Sequence, residues 1–434
     1  MKTSLLAAAL LCASSTVFAS GLDGHVVDTA TGKPVLDALV TVGTTVVKGD
    51  ALGRFQIAGG ENPGLKVLAR APGYRAGSFT AGDVAKSPLA LTPFTPHALY
   101  LSVYGVASKP IREAALGIIQ HGGANALVVD IKSDRGLLTY PSDIPLAKTI
   151  GARKLTLTHS LSDLVNNGHG QGIYMIARIV VFKDAALGVA RPDLAVRLPD
   201  GTLFHDREGL TWTDPWQAEV RAYNIAIAIE AAKAGFDEVQ FDYVRFPDAN
   251  TKLAFSGPTD EAGRVKGITN FLMQARTALV PYNVFLAADI FGYVGWNTND
   301  TGIGQQLESV INVVDYLCPM LYPSGFKLGI PGHKNPMATS DDIYRTIHLT
   351  LENSIKRTQA NPKKFRPWLQ AFRDYAFGGK IFGPVEVSDQ IRGADDAKTD
   401  GWILWNPHNR YTDVGLTKAA TSNAVIKAAA QVVP

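Results

Sequence analysis

The segment E-V-Q-F-D-Y-V-R-F-P, residues 238–247, sets an acid and a base, Asp242 and Arg245, three positions apart within a run of aromatic and β-branched residues. Such a run reads as a buried strand. An ionised carboxylate inside one is costly unless it is paired or meets water. The same arrangement recurs along the chain: Asp130 follows A-L-V-V, Arg178 follows Y-M-I-A, Asp289 follows F-L-A-A, Gln370 follows P-W-L and Asn406 follows I-L-W. One buried polar residue is usually a satisfied core group. Six at similar height on otherwise apolar strands imply a shared solvated mouth, since each would otherwise need its own private partner. Alternation puts Arg245 on the face opposite Asp242 if the strand runs that far. It either makes a salt bridge beneath a loop or touches substrate.

Elimination narrows the chemistry. The nine histidines are scattered, with no H-x-H and no H-E-x-x-H, which argues against zinc and leaves no metal or other cofactor to expect. No G-x-S-x-G elbow supports a serine hydrolase. Cys318, inside V-D-Y-L-C-P-M-L-Y, has no neighbouring base and reads as an inert buried thiol. What remains is carboxylate chemistry. Glycoside hydrolysis needs one carboxyl group to protonate the leaving oxygen and another to attack or to activate water. Asp242 and Asp289 are the natural pair, with Asp242 the ionised nucleophile or base, Asp289 the protonated acid and Asp130 in reserve. Aromatic residues gather where a sugar would lie: Trp212, Tyr243, Trp296, Tyr322 and Trp405. Arg178, Gln370 and Asn406 complete the expected substrate-binding set.

Eight apolar strands separated by amphipathic stretches must position these residues. The stretch from Pro215 to Ala234 reads as one of the helices, closed by Gly235. The expectation is an α/β fold, a (β/α)8 TIM barrel over residues 97–434. The alternative, an open doubly wound sheet, wants a Gly-rich phosphate loop after its first strand, and V-Y-G-V-A-S is not one. Before the barrel, residues 20–92 show short strands and turns at Gly32, Gly53 and Pro72-Gly73, which suits a small antiparallel β-sandwich.

Two resemblances sharpen this reading. F-D-Y-V-R-F-P, together with E-V-S-D-Q-I-R-G-A-D-D-A-K-T-D-G-W-I-L-W-N-P, resembles the glycoside hydrolase barrel family first catalogued as a domain of unknown function, over about residues 97 to 420. That resemblance implies a (β/α)8 fold acting on a polysaccharide. In related barrel glycosidase groups the aspartate of D-Y-x-R-x-P, here Asp242, is a catalytic candidate. D-T-A-T-G-K-P-V, followed by D-A-L-G-R-F and P-G-Y, resembles the carboxypeptidase regulatory-like domain, which implies a transthyretin-like sandwich without catalytic residues, used for packing or attachment.

Residues 1–19 combine one positive charge, an apolar run and a small-residue end at Val17-Phe18-Ala19, the pattern of a secretory signal peptide cut after Ala19. Leu11 before Cys12 argues against lipid attachment. Without Lys2, 41 basic and 39 acidic residues remain, a formal charge of +2 that offers no footprint for nucleic acid. No later segment is long and apolar enough to span a membrane. The expectation is therefore an exported glycoside hydrolase, periplasmic or extracellular, acting on a cell-envelope or extracellular polysaccharide. The alternatives are a non-catalytic glycan-binding barrel and an envelope scaffold.

Overall fold

Each of the eight apolar runs forms a strand: β1 (His97–Leu101), β2 (Ala126–Lys132), β3 (Tyr174–Val180), β4 (Glu238–Asp242), β5 (Phe285–Phe291), β6 (Tyr316–Met320), β7 (Trp368–Gln370) and β8 (Trp402–Trp405). They pair in parallel in chain order, and β8 closes on β1 to complete the barrel. Parallel strands require crossovers, and helices supply them, the longest being Ala218–Ala234, Glu261–Leu279 and Ser340–Thr358. The first of these starts at Ala218 rather than Pro215, because Asp214 Oδ1 accepts from the Trp216 amide and holds 214–217 in a turn. It ends at Gly235, whose φ of 97° is the left-handed cap that glycine adopts without strain.

This computed structural model describes residues 21–58, 62–155 and 157–416. The signal-peptide reading of residues 1–19, Cys12 included, falls outside them. Among the described residues no helix is long and apolar enough to cross a membrane.

Alternation divides the strand residues between two cores. Ala98, Val128, Ile176, Ala287, Cys318 and Ile403 fill the barrel. Leu99, Leu127, Ile179, Ala288, Leu317 and Leu404 face the helices. With both faces buried, the strands read as continuous apolar runs. The amino-terminal end of the barrel is closed by charge. Arg366, just before β7, donates to Glu238 Oε2 at 2.6 Å and to Asp400 Oδ2 at 3.3 Å, with its guanidinium 3.9 Å from the centre of the Tyr316 ring.

The chain divides into two units, one comprising residues up to Ala69 with Gly77–Leu91 and the other Arg70–Ala76 with the chain from Thr92. The first unit contains two small sheets. One orders its strands Arg54–Ala58, Gly21–Asp28, Leu89–Leu91; the other orders Thr45–Lys48, Leu39–Val42, Lys66–Arg70, Gly77–Thr80. Val26, Val40, Phe55, Ile57 and Val67 are buried there. The turn expected at Gly32 forms within T-A-T-G-K-P-V: Asp28 Oδ1 accepts from the amides of Ala30 and Thr31, and Gly32 takes a φ of 68°. The Pro72-Gly73 turn, expected in the sandwich, groups with the barrel unit, where the Gly73 amide donates to the Tyr316 hydroxyl and to Asp400.

Candidate active site

Neighbouring parallel strands run about 4.8 Å apart, so inward side chains at matching height meet. Arg178 of β3 stands opposite Asp130 of β2, while Val180 stands opposite Asp242 at the end of β4. The Arg178 guanidinium therefore lies between carboxylates. Nη1 donates to Asp130 Oδ1 at 2.5 Å and Nε to Asp242 Oδ2 at 3.1 Å, with a second, short contact from Nη2 to the same oxygen. Nε also lies 3.9 Å from Asp289 Oδ2 on β5. Each carboxyl has a further donor: the Tyr100 hydroxyl to Asp130 at 2.7 Å, the Tyr243 amide to Asp242 at 2.5 Å, and the Trp368 indole to Asp289 at 2.7 Å.

One cation does not balance three carboxylates. Burial, reinforced by the neighbouring Asp242 charge, pushes the Asp289 carboxyl well above the usual range, which favours its protonated form. Burial also raises Asp130, against the pull of Arg178.

A cavity of about 470 Å³ opens above this cluster at the carboxyl ends of the strands. Arg178, Asp242, Tyr243 and Arg245 line it, with Tyr322, Trp368 and Trp405. Tyr322 and Trp405 stack with centroids 5.5 Å apart and planes 27° apart. Of the residues expected from sequence to bind substrate, Arg178, Tyr243, Arg245, Tyr322 and Trp405 thus come together beside Asp242. Asp130 stands behind Arg178 and does not line the cavity.

Family relationship follows from the sequence of this barrel. Residues 98–411, most of the chain, match the family described as "Putative glycosyl hydrolase domain". The chain belongs to this glycosyl hydrolase domain family. No curated protein matches it. Among solved structures, a hypothetical protein from Ruminiclostridium thermocellum is 36% identical, with 44% of this chain and 96% of that one covered and a TM-score of 0.39. The PgaB (BpsB) glycoside hydrolase domain from Bordetella bronchiseptica is 13% identical over 77% of this chain and 98% of that one, with a TM-score of 0.49. A Group IV chitinase from Ostrinia furnacalis is 10% identical over 77% and 100%, with a TM-score of 0.44.

Other members of the expected set are placed elsewhere in this family domain. Asp289 has no exposed surface and does not line the cavity; Trp368, which donates to it, does. Gln370 is buried and binds Ser324, donating to its Oγ and accepting from its amide. Trp296 points at helix Ser340–Thr358, its indole donating to Thr350 Oγ1 at 2.9 Å. Asn406 caps the turn after β8, accepting from His408 and Arg410 amides and donating to the Ala371 carbonyl. Trp212 is buried, 4.7 Å from the Arg245 guanidinium, and its indole binds Asp206. Burial of Cys318 raises its thiol well above the usual range.

Arg245 departs from simple alternation because β4 stops at Asp242. Tyr243 takes a φ of 49°, a left-handed conformation rare for a bulky residue, and this turn returns Arg245 to the cavity wall. Among the described residues no carboxylate oxygen lies within 4.0 Å of it, so it is not the salt bridge beneath a loop that sequence left open. Two cavity carboxylates escaped the sequence reading, Glu208 and Asp248. Asp248 directly follows the F-D-Y-V-R-F-P motif, in the loop after β4 where barrel chemistry gathers, and was legible on that ground. Glu208 sits in the long excursion between β3 and helix Ala218–Ala234, where no strand end marks it.

The state of Asp289 has a measurable consequence. An unfolded aspartate releases its proton near pH 3.9. The folded state keeps that proton to higher pH, so above this value the unfolded chain binds fewer protons and stability falls as pH rises. Asp289→Asn retains an acceptor for Trp368 and cannot ionise. Its melting temperature should exceed that of the wild type at neutral pH, and the gain should shrink as pH is lowered toward about 4. A lower melting temperature at neutral pH would mean that Asp289 is held as a paired charge.

Proposed function

We propose that the protein is an exported glycoside hydrolase that cleaves a cell-envelope or extracellular polysaccharide, with Asp242 as the carboxylate that attacks the sugar or activates water. The observation that carries this reading is Asp242 on the wall of a cavity furnished with stacked aromatic rings, since apolar sugar faces pack on such rings. Asp289 is the proton-holding partner beneath it, and Arg178 orients the pair. Asp248, on the cavity wall, is the carboxyl group free to meet a leaving oxygen if Asp289 acts only through Asp242. The signal-like pattern of residues 1–19 supports export to a periplasm or beyond the cell, and the resemblance of the amino-terminal residues to a domain without catalytic residues supports packing or attachment rather than chemistry.

A second reading, a glycan-binding barrel without turnover, is favoured by one feature: Arg178 engages Asp242 through two nitrogens, and Asp289 is sealed from the cavity. Incubating the protein with envelope and biofilm polysaccharides and assaying new reducing ends separates the two. Release of reducing ends is the expected result. Retention of a polysaccharide with no release would replace hydrolysis by binding.

A further inference from the structure

Among the described residues, buried cations pair with carboxylates, with one exception at the cavity. Arg70 meets Asp315, Arg178 meets Asp130 and Asp242, Arg366 meets Glu238 and Asp400, and Lys183 meets Asp206 and Glu208. Arg245 is 9% exposed, and the one hydrogen bond it makes among the described residues runs from Nη1 to the Phe246 carbonyl at 3.0 Å. Its guanidinium is held instead among rings, 4.7 Å from the centroid of Trp212, 5.2 Å from Tyr243 and 4.7 Å from Phe291. These contacts fix the orientation of the group but satisfy few of its five N–H donors.

We propose that Arg245 is the centre of a carboxylate-binding subsite and that the saccharide unit bound there is a uronic acid. This rests on the reading of the cavity as a saccharide site and names the class of sugar it selects. A buried guanidinium without a counter-ion is expensive, and burial here works against its charge. Because Arg245 lines the cavity, a ligand can supply what the protein leaves out. The planar fork matches a carboxylate through two parallel N–H bonds, a geometry that sugar hydroxyls do not reproduce and that leaves them without the compensating charge. The cavity's own acids do not fill the role; Asp242 is taken by Arg178. Glu208 is engaged by Lys183 at 2.7 Å, and Asp248 is exposed, where water screens it. Arg207, exposed on the same cavity, adds a second cation that draws an acidic chain toward the site.

The test is binding of D-glucuronate and D-galacturonate to the full chain, compared with glucose, galactose and N-acetylglucosamine, by ligand-observed NMR titration. The uronates should bind roughly 10-fold or more tighter than their neutral parents, and the preference should weaken with added salt. Arg245→Gln should abolish the preference, and Arg245→Lys, which keeps charge without the fork, should keep part of it. Equal affinity of the wild type for acidic and neutral sugars overturns the proposal, as does undetectable uronate binding. So does a preference that survives in folded Arg245→Gln. If that variant does not fold, the wild-type selectivity and Arg245→Lys decide. Uronate preference in a protein that cleaves no polysaccharide keeps the subsite and removes hydrolysis. Cleavage of a neutral polymer without uronate preference does the reverse.

Discussion

Asp242→Asn should lower turnover on a confirmed polysaccharide substrate by roughly 10²-fold or more, the scale of a positioned acid–base or nucleophilic group, while the melting curve and circular dichroism stay those of a folded barrel. Asparagine keeps the shape and can still accept from the Tyr243 amide and Arg178, so the geometry around it survives. What it loses is the negative charge and the capacity to take a proton. Asp289→Asn sharpens the result, because it replaces a carboxyl whose charged form burial disfavours. Its loss should slow turnover on a similar scale, yet stabilise the fold at neutral pH, since burial disfavours the charge that the aspartate would carry in a dry interior. Near-normal turnover by folded Asp242→Asn would remove it from the chemistry. Were Asp289→Asn alone silent, Asp248 on the cavity wall would be the next acid to test, ahead of Asp130, which the cavity does not reach.

Asp130, Arg178, Asp242 and Asp289 show how far strand patterning reaches. Each closes an apolar run, alternation points it into the barrel, and neighbouring strands bring the three carboxyl groups around the Arg178 guanidinium. Height along the barrel axis is less legible. Asp289 is late in β5 like Asp242 in β4, yet it lies below the cavity floor because Trp368, from two strands away in the ring, reaches over it. Gln370 follows the same pattern but is captured by Ser324, 46 residues earlier in the chain, a partner that no local window contains. Trp296 and Asn406 fail for a related reason. Once the strand ends, the course of the loop decides where a side chain points, and Trp296 turns to a helix while Asn406 turns back on its own loop. Tyr322 and Trp405 face each other because Trp405 ends β8 and Tyr322 follows the end of β6 by two residues, and strand ends are the part of the mouth that sequence locates.

The largest stability change should come from the opposite end of the same strand. Glu238 begins β4 as Asp242 ends it, and Arg366 binds Glu238 with neither side chain exposed. Arg366→Met fills similar space without charge, so it strands Glu238 in the interior and leaves Asp400 the more distant Lys363 Nζ, 3.8 Å from its Oδ1. Breaking one side of a buried ion cluster costs about 3–5 kcal/mol, because the remaining charge has lost its counter-ion and cannot regain water. Among the described residues Glu238 then retains only the Tyr174 hydroxyl, at 3.1 Å, and its carboxyl is already pushed up by burial. Urea unfolding of the full chain should show the barrel transition shifted by that amount. Adding Glu238→Gln to Arg366→Met should recover part of the loss, since the double variant removes one orphaned charge along with the cation. A shift below about 1 kcal/mol, the range of an exposed pair, would mean that water reaches Arg366 and that this end of the barrel is open. The two ends thus divide the work of charge. At the amino-terminal end Arg366 is saturated and sealed, and its removal is felt as lost stability. At the carboxyl end Arg178 stands beside carboxyl groups it does not fully neutralise, and Asp242 remains on the cavity wall.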